Sequence, residues 1–431
     1  MFLQRIRVPD FRVLKNVDIS FEKEFTPSIF PLGSLNGGGK STLLQLIFIL
    51  LHCSTHPDRI DFLKNITEGF KINQNSDKRV LAIIDIWDGC KTVELEFFLC
   101  TETFIKDLFK NVDNNDEVIE KIFSRLNENY EHKLRQYTEP KNEAHKIGGL
   151  SGVVIDKTEQ DEYFDNKFTE YLNKSKLIHI CDIYFHSEQN KYKKEILLCH
   201  VNNLDTNKIQ SFLRNLSDKV FLAAPNSQIF LFFSQNSRKL LFKAQGENNY
   251  YLELKQEKIK LPGFFTYDFM AIDFLIKSFT QARDQDFIQA IKTGKYGDSY
   301  QALLNDLNSI FIDKKINLNE DLSGVIFKKN EDDVELYPED LSHGELKRLF
   351  LYMLIKYNKI ENAIVLMDEI EIYFHPDWQY QIVRDLEEWS PTNQYILATH
   401  SYDLCEAVTP AHVKLLPSKL INPNKSPSSE I

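Results

Sequence analysis

The sequence lacks a membrane span, a disulfide pattern and an excess of positive charge. Its longest apolar run near the start is Leu43–Leu51, interrupted by Gln45, well short of the roughly 20 residues that cross a bilayer. Six cysteines stand at positions 53, 90, 100, 181, 199 and 405 with no CxxC pair, which excludes a disulfide scaffold and predicts reduced, mostly buried thiols. Lysine and arginine number 52 against 63 acidic residues, for a net charge of -11. A globally basic nucleic-acid binder is thereby excluded, although local basic grooves are not. No apolar stretch follows the charges of MFLQRIRVPD, so the start does not read as a secretory signal and a cytoplasmic location is expected. The cluster His52-Cys53-x-x-His56 lacks further partners for a metal and reads as a helix end.

What is present is a folding pattern for 431 residues, about three domains' worth or one large composite domain. Ile6, Val8, Phe11 and Val13, then Val17, Ile19 and Phe21, alternate with polar neighbours as strands do. Ser28–Leu32 is a short apolar strand and Ser41–His52 a buried helix. Residues 79–100 read as a hairpin turning at Asp88-Gly89. Residues 101–137 look helical with a break at 111–116, and 138–175 read as a loop and a further helix. Strands are predicted over 177–185, 196–201, 220–233 and 250–261, and helices over 268–282, 284–292 and 299–311. The last third predicts a helix after Ser342, a buried strand over 363–367, a helix from Pro376 to Trp389 and a strand over 394–399. In the Pro376 helix, Trp378, Ile382, Leu386 and Trp389 share one face. A polar tail covers 419–431.

Chemistry is concentrated in a few stretches. Gly33-Ser-Leu-Asn36-Gly37-Gly38-Gly39-Lys40-Ser41-Thr42 lies between a strand and a helix, where a phosphate-binding loop belongs. Glycines let backbone N–H groups turn towards anionic oxygens, and the helix start adds its dipole. Lys40 is placed to reach the β- and γ-phosphates and Ser41 to ligate Mg²⁺. Ser34 occupies the position where the pattern has glycine, a turn that serine closes with strain if its φ is positive. The run Ile364-Val-Leu-Met-Asp368-Glu369 is an apolar strand ending in two acids. Asp368 is expected beside the loop, holding Mg²⁺ directly or through water, with Glu369 orienting or deprotonating the attacking water. Leu341-Ser342-His343-Gly344-Glu345 opens a helix with the marks of a capping box. The same free N–H groups and hydroxyl suit a γ-phosphate.

That element resembles the LSGGQ-type signature of ABC-class ATPases, and His400, after a strand, resembles their switch histidine. The resemblance spans the first and last hundred residues. Asp10-Phe11-Arg12 followed by Asn16-Val-Asp-Ile-Ser-Phe resembles the opening of SMC, RecF and OLD-type ATPases, where Arg12 would touch the nucleotide. Asp368-Glu-Ile-Glu371-Ile-Tyr-Phe-His375-Pro376 is similar to the DEPE…HP pattern of OLD-like ATPases, with Ile370 in place of proline. A glutamine loop is not assigned, Gln228 being the one candidate.

The resemblance implies an α/β P-loop NTPase with the topology of an ABC-ATPase head, an antiparallel β subdomain and an elaborated α/β middle. Its domain boundaries would be 1–100 and 336–418 for the head, 101–335 for the middle and 419–431 for the tail. It implies ATP and Mg²⁺ as cofactors, Glu369 and His400 as the catalytic pair, and a homo-oligomer in which Ser342 and Gly344 of one copy close the site of another. Only 31 residues follow His400, too few for the Toprim domain of an OLD nuclease, and the middle is no SMC coiled coil. What remains resembles the stand-alone ATPase subunits of bacterial anti-phage systems. The Septu kind, paired with a separate HNH nuclease, comes first, and the PARIS kind, which holds a Toprim-family effector, second. The rivals are a RecF-like DNA-maintenance ATPase, a scaffold with structural ATP and, more distantly, a transporter subunit. Lys191, Lys193 and Lys194, and Arg238, Lys239 and Lys243 near Tyr250 and Tyr251, read as solvated faces before they read as a DNA groove.

Overall fold

The computed structural model describes residues 1–34, 37–73, 75–112, 116–125, 159–186, 192–228, 233, 258–267, 271–311, 313–319, 324–331, 334–337 and 340–416. Two compact units make up the chain: Met1–Ser20, Gln45–Asp218 and Leu231–Leu261 form one, and Phe21–Leu44, Lys219–Phe230 and Pro262–Ile431 the other. The stretch 101–335 contributes to both.

The first unit is built on an antiparallel sheet of β1 (Phe2–Phe11), β2 (Leu14–Ser20), β4 (Lys78–Trp87), β5 (Thr92–Cys100), β6 (Leu177–His186) and β7 (Tyr192–Asn202), in the order β2-β1-β4-β5-β7-β6. Ile6 pairs with Ile19 on one side and Ile84 on the other, so the alternating residues fall on one buried face. The Asp88-Gly89 hairpin forms as expected. Asp88 Oδ1 accepts the N–H groups of Cys90 at 2.7 Å and Lys91 at 2.8 Å, and Gly89 takes a φ of 113°. Phe98, Ile105, Phe109, Phe123, Phe168 and Tyr171 form the core between this sheet and the helices beside it. His52 Nδ1 bonds the Ser217 carbonyl at 2.8 Å and His56 Nε2 the Ser217 hydroxyl at 2.9 Å. The pair therefore caps a helix end, and no cluster suited to a metal occurs among the described residues.

The second unit centres on a parallel sheet of β3 (Ile29–Gly33), β8 (Val220–Ala224), β9 (Phe264–Thr266), β13 (Ile364–Asp368), β14 (Gln394–Ala398) and β15 (Lys414–Leu415), in the order β15-β3-β14-β13-β8-β9. β13 and β14 are buried at every position, which is why they read as continuous apolar runs. Three short antiparallel strands, β10 (Lys314–Leu318), β11 (Val325–Lys329) and β12 (Glu335–Leu336), form a third sheet in the same unit. Helix α1 (Lys40–Cys53) follows β3; Leu43, Leu44 and Leu46–Leu50 are fully buried along it. A helix apolar on all sides belongs inside a fold.

Two elements differ from the sequence reading. The strand predicted over 220–233 stops at Ala224, because Pro225 has no N–H to continue a ladder; residues 226–228 turn instead. The helices predicted over 268–282 and 284–292 are one helix, α2 (Ala271–Thr293), which runs through Arg283 and Asp284 without a break, and its Asp286 accepts the N–H groups of Ser299 and Tyr300. The strand predicted over 250–261 lies outside the described residues except for 258–261, where 258–260 are helical.

Candidate nucleotide site

Every residue of this site belongs to the second unit. β3 hands the chain to α1 through Gly37 and Gly39, whose φ values of 72° and 96° are ones glycine adopts without a Cβ clash. Gly38 lies between them, half-buried, and Asn36 lies outside the described residues. The Leu43 N–H donates to Gly39 at 2.8 Å, so the helical ladder starts inside the loop. Ser41 and Thr42 occupy the first turn of α1, where backbone N–H groups have no intrahelical partner.

Ser34 does not take a positive φ, so the strain that serine risks there is avoided. Its oxygens serve the lysine: Lys40 Nζ lies 3.2 Å from Oγ and 3.4 Å from the carbonyl. The same ammonium lies 2.8 Å from Nε2 of His400. Burial lowers the pKa of Lys40, opposed by the charges of Asp368, Glu371 and Glu369.

Asp368 ends β13 and is 1% exposed. The Gln228 amide donates to its Oδ2. Burial, helped by the charges of Glu369 and Glu371, pushes its carboxyl up to about 6 against the hydrogen bonds from Gln228 and Ser41. Its Oδ1 is buried without a hydrogen-bond partner. An unsatisfied carboxylate oxygen beside a serine hydroxyl and a glutamine carboxamide is an oxygen donor set that fits a hard divalent cation. Gln228, only a candidate from sequence, is thus placed on the acid of β13.

The turn after β13 holds the other acids. Glu369 takes a φ of 52°, its N–H donating to Ala398 at 2.9 Å. Its carbonyl accepts from Lys347 Nζ at 3.1 Å. Glu371 Oε1 accepts the His400 N–H at 2.8 Å, and its Oε2 is buried without a partner. β14, lying between β3 and β13, is what carries His400 to the loop.

Ser342 caps helix α3 (His343–Tyr352) with both halves of the expected capping box. Its Oγ accepts the Glu345 N–H at 3.2 Å, and Glu345 Oε2 accepts the Ser342 N–H at 2.9 Å. Glu345 also receives Lys314 at 2.5 Å. A Cβ on Gly344 would come 2.8 Å from the Tyr373 carbonyl and 3.2 Å from the Trp378 ring, so this glycine permits close packing within the chain. Arg348 clamps Asp385 at 2.6 and 3.0 Å, fastening α3 to helix α4 (Pro376–Trp389).

Arg12 sits in the first unit, with a φ of 52° and its guanidinium donating to the Ile66 carbonyl at 2.6 Å. Of the basic residues weighed as a groove, Lys194 is held by Asp182 at 3.2 Å and Glu102 at 3.9 Å. The other groove candidates lie outside the residues whose side chains are described.

A glycine loop, its lysine, a serine hydroxyl and a buried aspartate, gathered at one end of a parallel sheet, define the site of a P-loop nucleotide-binding protein. The chain belongs to the AAA_15 family, described as AAA ATPase domain, whose model matches residues 1–405. Among curated proteins it is similar to "Retron Vc95 probable ATPase" of Vibrio cholerae serotype O1 biovar El Tor, 30% identical over 146 residues. It is also similar to "Retron Ec83 probable ATPase" of Escherichia coli, 39% identical over 54 residues. These matches cover 30% and 12% of this chain, and the chain spans only 27% and 10% of those relatives. Among solved structures, the SMC head domain from Thermotoga maritima is similar at 10% identity and a TM-score of 0.38, over 95% of this chain and 92% of that one. The Smc head domain from Pyrococcus furiosus with an extended coiled coil, bound to the C-terminal domain of ScpA, is similar at 10% identity and a TM-score of 0.33, over 94% and 92%. Among the described residues no helix is long and apolar enough to cross a membrane.

Proposed function

We propose that this chain is the ATP-binding subunit of a bacterial anti-phage complex, and that nucleotide-dependent closure of two or more copies controls a separate HNH-type nuclease. The observation that carries the nucleotide half is the meeting of Lys40, Ser41 and Asp368, with one buried aspartate oxygen left unsatisfied. The retron relatives named as probable ATPases are in keeping with a defence setting, and the HNH partner follows from the resemblance to Septu-type subunits.

In this reading the loop amides and Lys40 bind the triphosphate and set its register. Ser41 and Asp368 hold Mg²⁺, which neutralises charge on the phosphate oxygens. Glu369 orients the attacking water and accepts its proton, and His400 lies against the γ-phosphate. Ser342 and Gly344 of a neighbouring copy present a capped helix N-terminus to the same phosphate. Contacts to the γ-phosphate favour the closed assembly and its loss relaxes it, which makes the nucleotide a switch even when turnover is slow.

Lys40→Ala is expected to abolish ATP binding measured by titration calorimetry; unchanged affinity would remove the site. Copurification followed by mass spectrometry should recover an HNH nuclease. A copurified partner lacking any nuclease centre would remove the second half of the reading.

A further inference from the structure

Lys347 is 5% exposed, yet no carboxylate lies within ion-pair distance of it among the described residues. Its ammonium donates to the carbonyls of Glu369 at 3.1 Å and Ile372 at 3.0 Å. It also lies 4.1 Å from the centre of the Tyr267 ring and 5.4 Å from that of Phe374. Burying a charge without a counter-ion is costly, and an apolar side chain would fill the same volume more cheaply. A role in packing therefore does not account for a lysine here.

The two carbonyls lie in the turn between β13 and α4, which is left-handed at Glu369, with φ 52°, and at Tyr373, with φ 72°. Non-glycine residues stay in that region only where their surroundings over-determine them. Glu369 is gripped from both sides: its N–H by Ala398 of β14, its carbonyl by Lys347 of α3. Two anchors of opposite polarity on one residue set its backbone conformation, and with it the direction in which the carboxylate leaves the chain.

We propose that Lys347 is a positioning residue for Glu369, fixing from the signature helix the backbone that aims the water-orienting carboxylate. The inference rests on the nucleotide reading above. Lys347 follows Ser342 by about one and a half turns of the same helix, so α3 carries both the phosphate-facing cap and the anchor of the acid. Burial lowers the pKa of the ammonium to about 7, opposed by the charges of Glu371 and Glu369.

The test is steady-state ATP hydrolysis, equilibrium ATP binding and amide exchange on the full chain carrying Lys347→Met. A misaimed general base predicts a fall in kcat of about 10²-fold, an unchanged Kd for ATP, and faster exchange confined to residues 369–374. Unchanged kcat overturns the proposal. So does a loss of kcat that tracks weaker binding and a lower Tm, because that is the signature of a structural lysine. If the methionine variant does not fold, Lys347→Gln takes its place and the same outcomes decide. A wild-type chain that neither binds nor hydrolyses ATP would sink the nucleotide reading first, before any variant is compared.

Discussion

Lys40 Nζ and His400 Nε2 lie 2.8 Å apart, although the two residues come from opposite ends of the chain. An ammonium can only donate, so this ring nitrogen accepts. Lys40 and His400 are thus hydrogen-bonded to each other, and under the proposed function a γ-phosphate is expected to take the place of that contact.

Replacing the ring tests the relationship. His400→Ala should leave ATP affinity within a small factor of wild type and lower kcat about 10²-fold, the usual scale for one positioned polar group. Phosphate release at saturating ATP measures it. A variant as fast as wild type would show that the histidine does not serve the reacting phosphate.

Asp368 gives a pH prediction. Its carboxyl is raised to about 6, first by burial, so ionisation opposes folding. The cost is fully present above about pH 6 and is relieved as pH falls from there towards the unfolded value near 4. Asp368→Asn should therefore raise the Tm of the nucleotide-free protein at pH 8, by up to about 3 kcal/mol of stability, with the gain shrinking below pH 5. The same change should abolish Mg²⁺-dependent ATP binding. A gain in Tm that is equal at pH 8 and pH 4.5 would contradict the assigned cause.

Gly344→Ala should cost about 1–3 kcal/mol, because the added methyl meets the Tyr373 carbonyl, a backbone atom that cannot swing away. Urea unfolding would show it as a lower midpoint at constant slope. An unchanged midpoint would mean that α3 and the turn after β13 separate easily, contrary to their packing.

The parts legible in the sequence are those written in consecutive residues. Gly37–Thr42 announces its loop, Ile364–Asp368 its buried strand, and Ser342 with Glu345 its cap, because each rests on local backbone requirements. The helix from Pro376 to Trp389 was equally readable, and Ile382 and Leu386 of its apolar face are buried. What could not be read depends on which strands are neighbours. Glu371 meets the His400 N–H because β14 lies beside β13. Gln228 reaches Asp368 because β8 flanks β13 on the other side and ends at Ala224, just before Pro225. Nothing in the sequence singles out Lys347; only the turn that receives it shows that it is buried. For Gly344 the sequence suggests a ligand-facing role, and the close approach of Tyr373 adds a packing reason for glycine that the sequence does not show.

The root of the phosphate loop is also clamped from the sheet edge. Gly33 pairs with Leu415 of β15, its carbonyl accepts the Leu416 N–H at 3.0 Å, and His412 holds the Pro27 carbonyl at 3.0 Å. Such a ribbon hides an otherwise sticky border. Because the same pairing fixes the residue from which the glycine loop departs, a substitution that loosens β15 is expected, under the proposed function, to weaken nucleotide capture from outside the pocket.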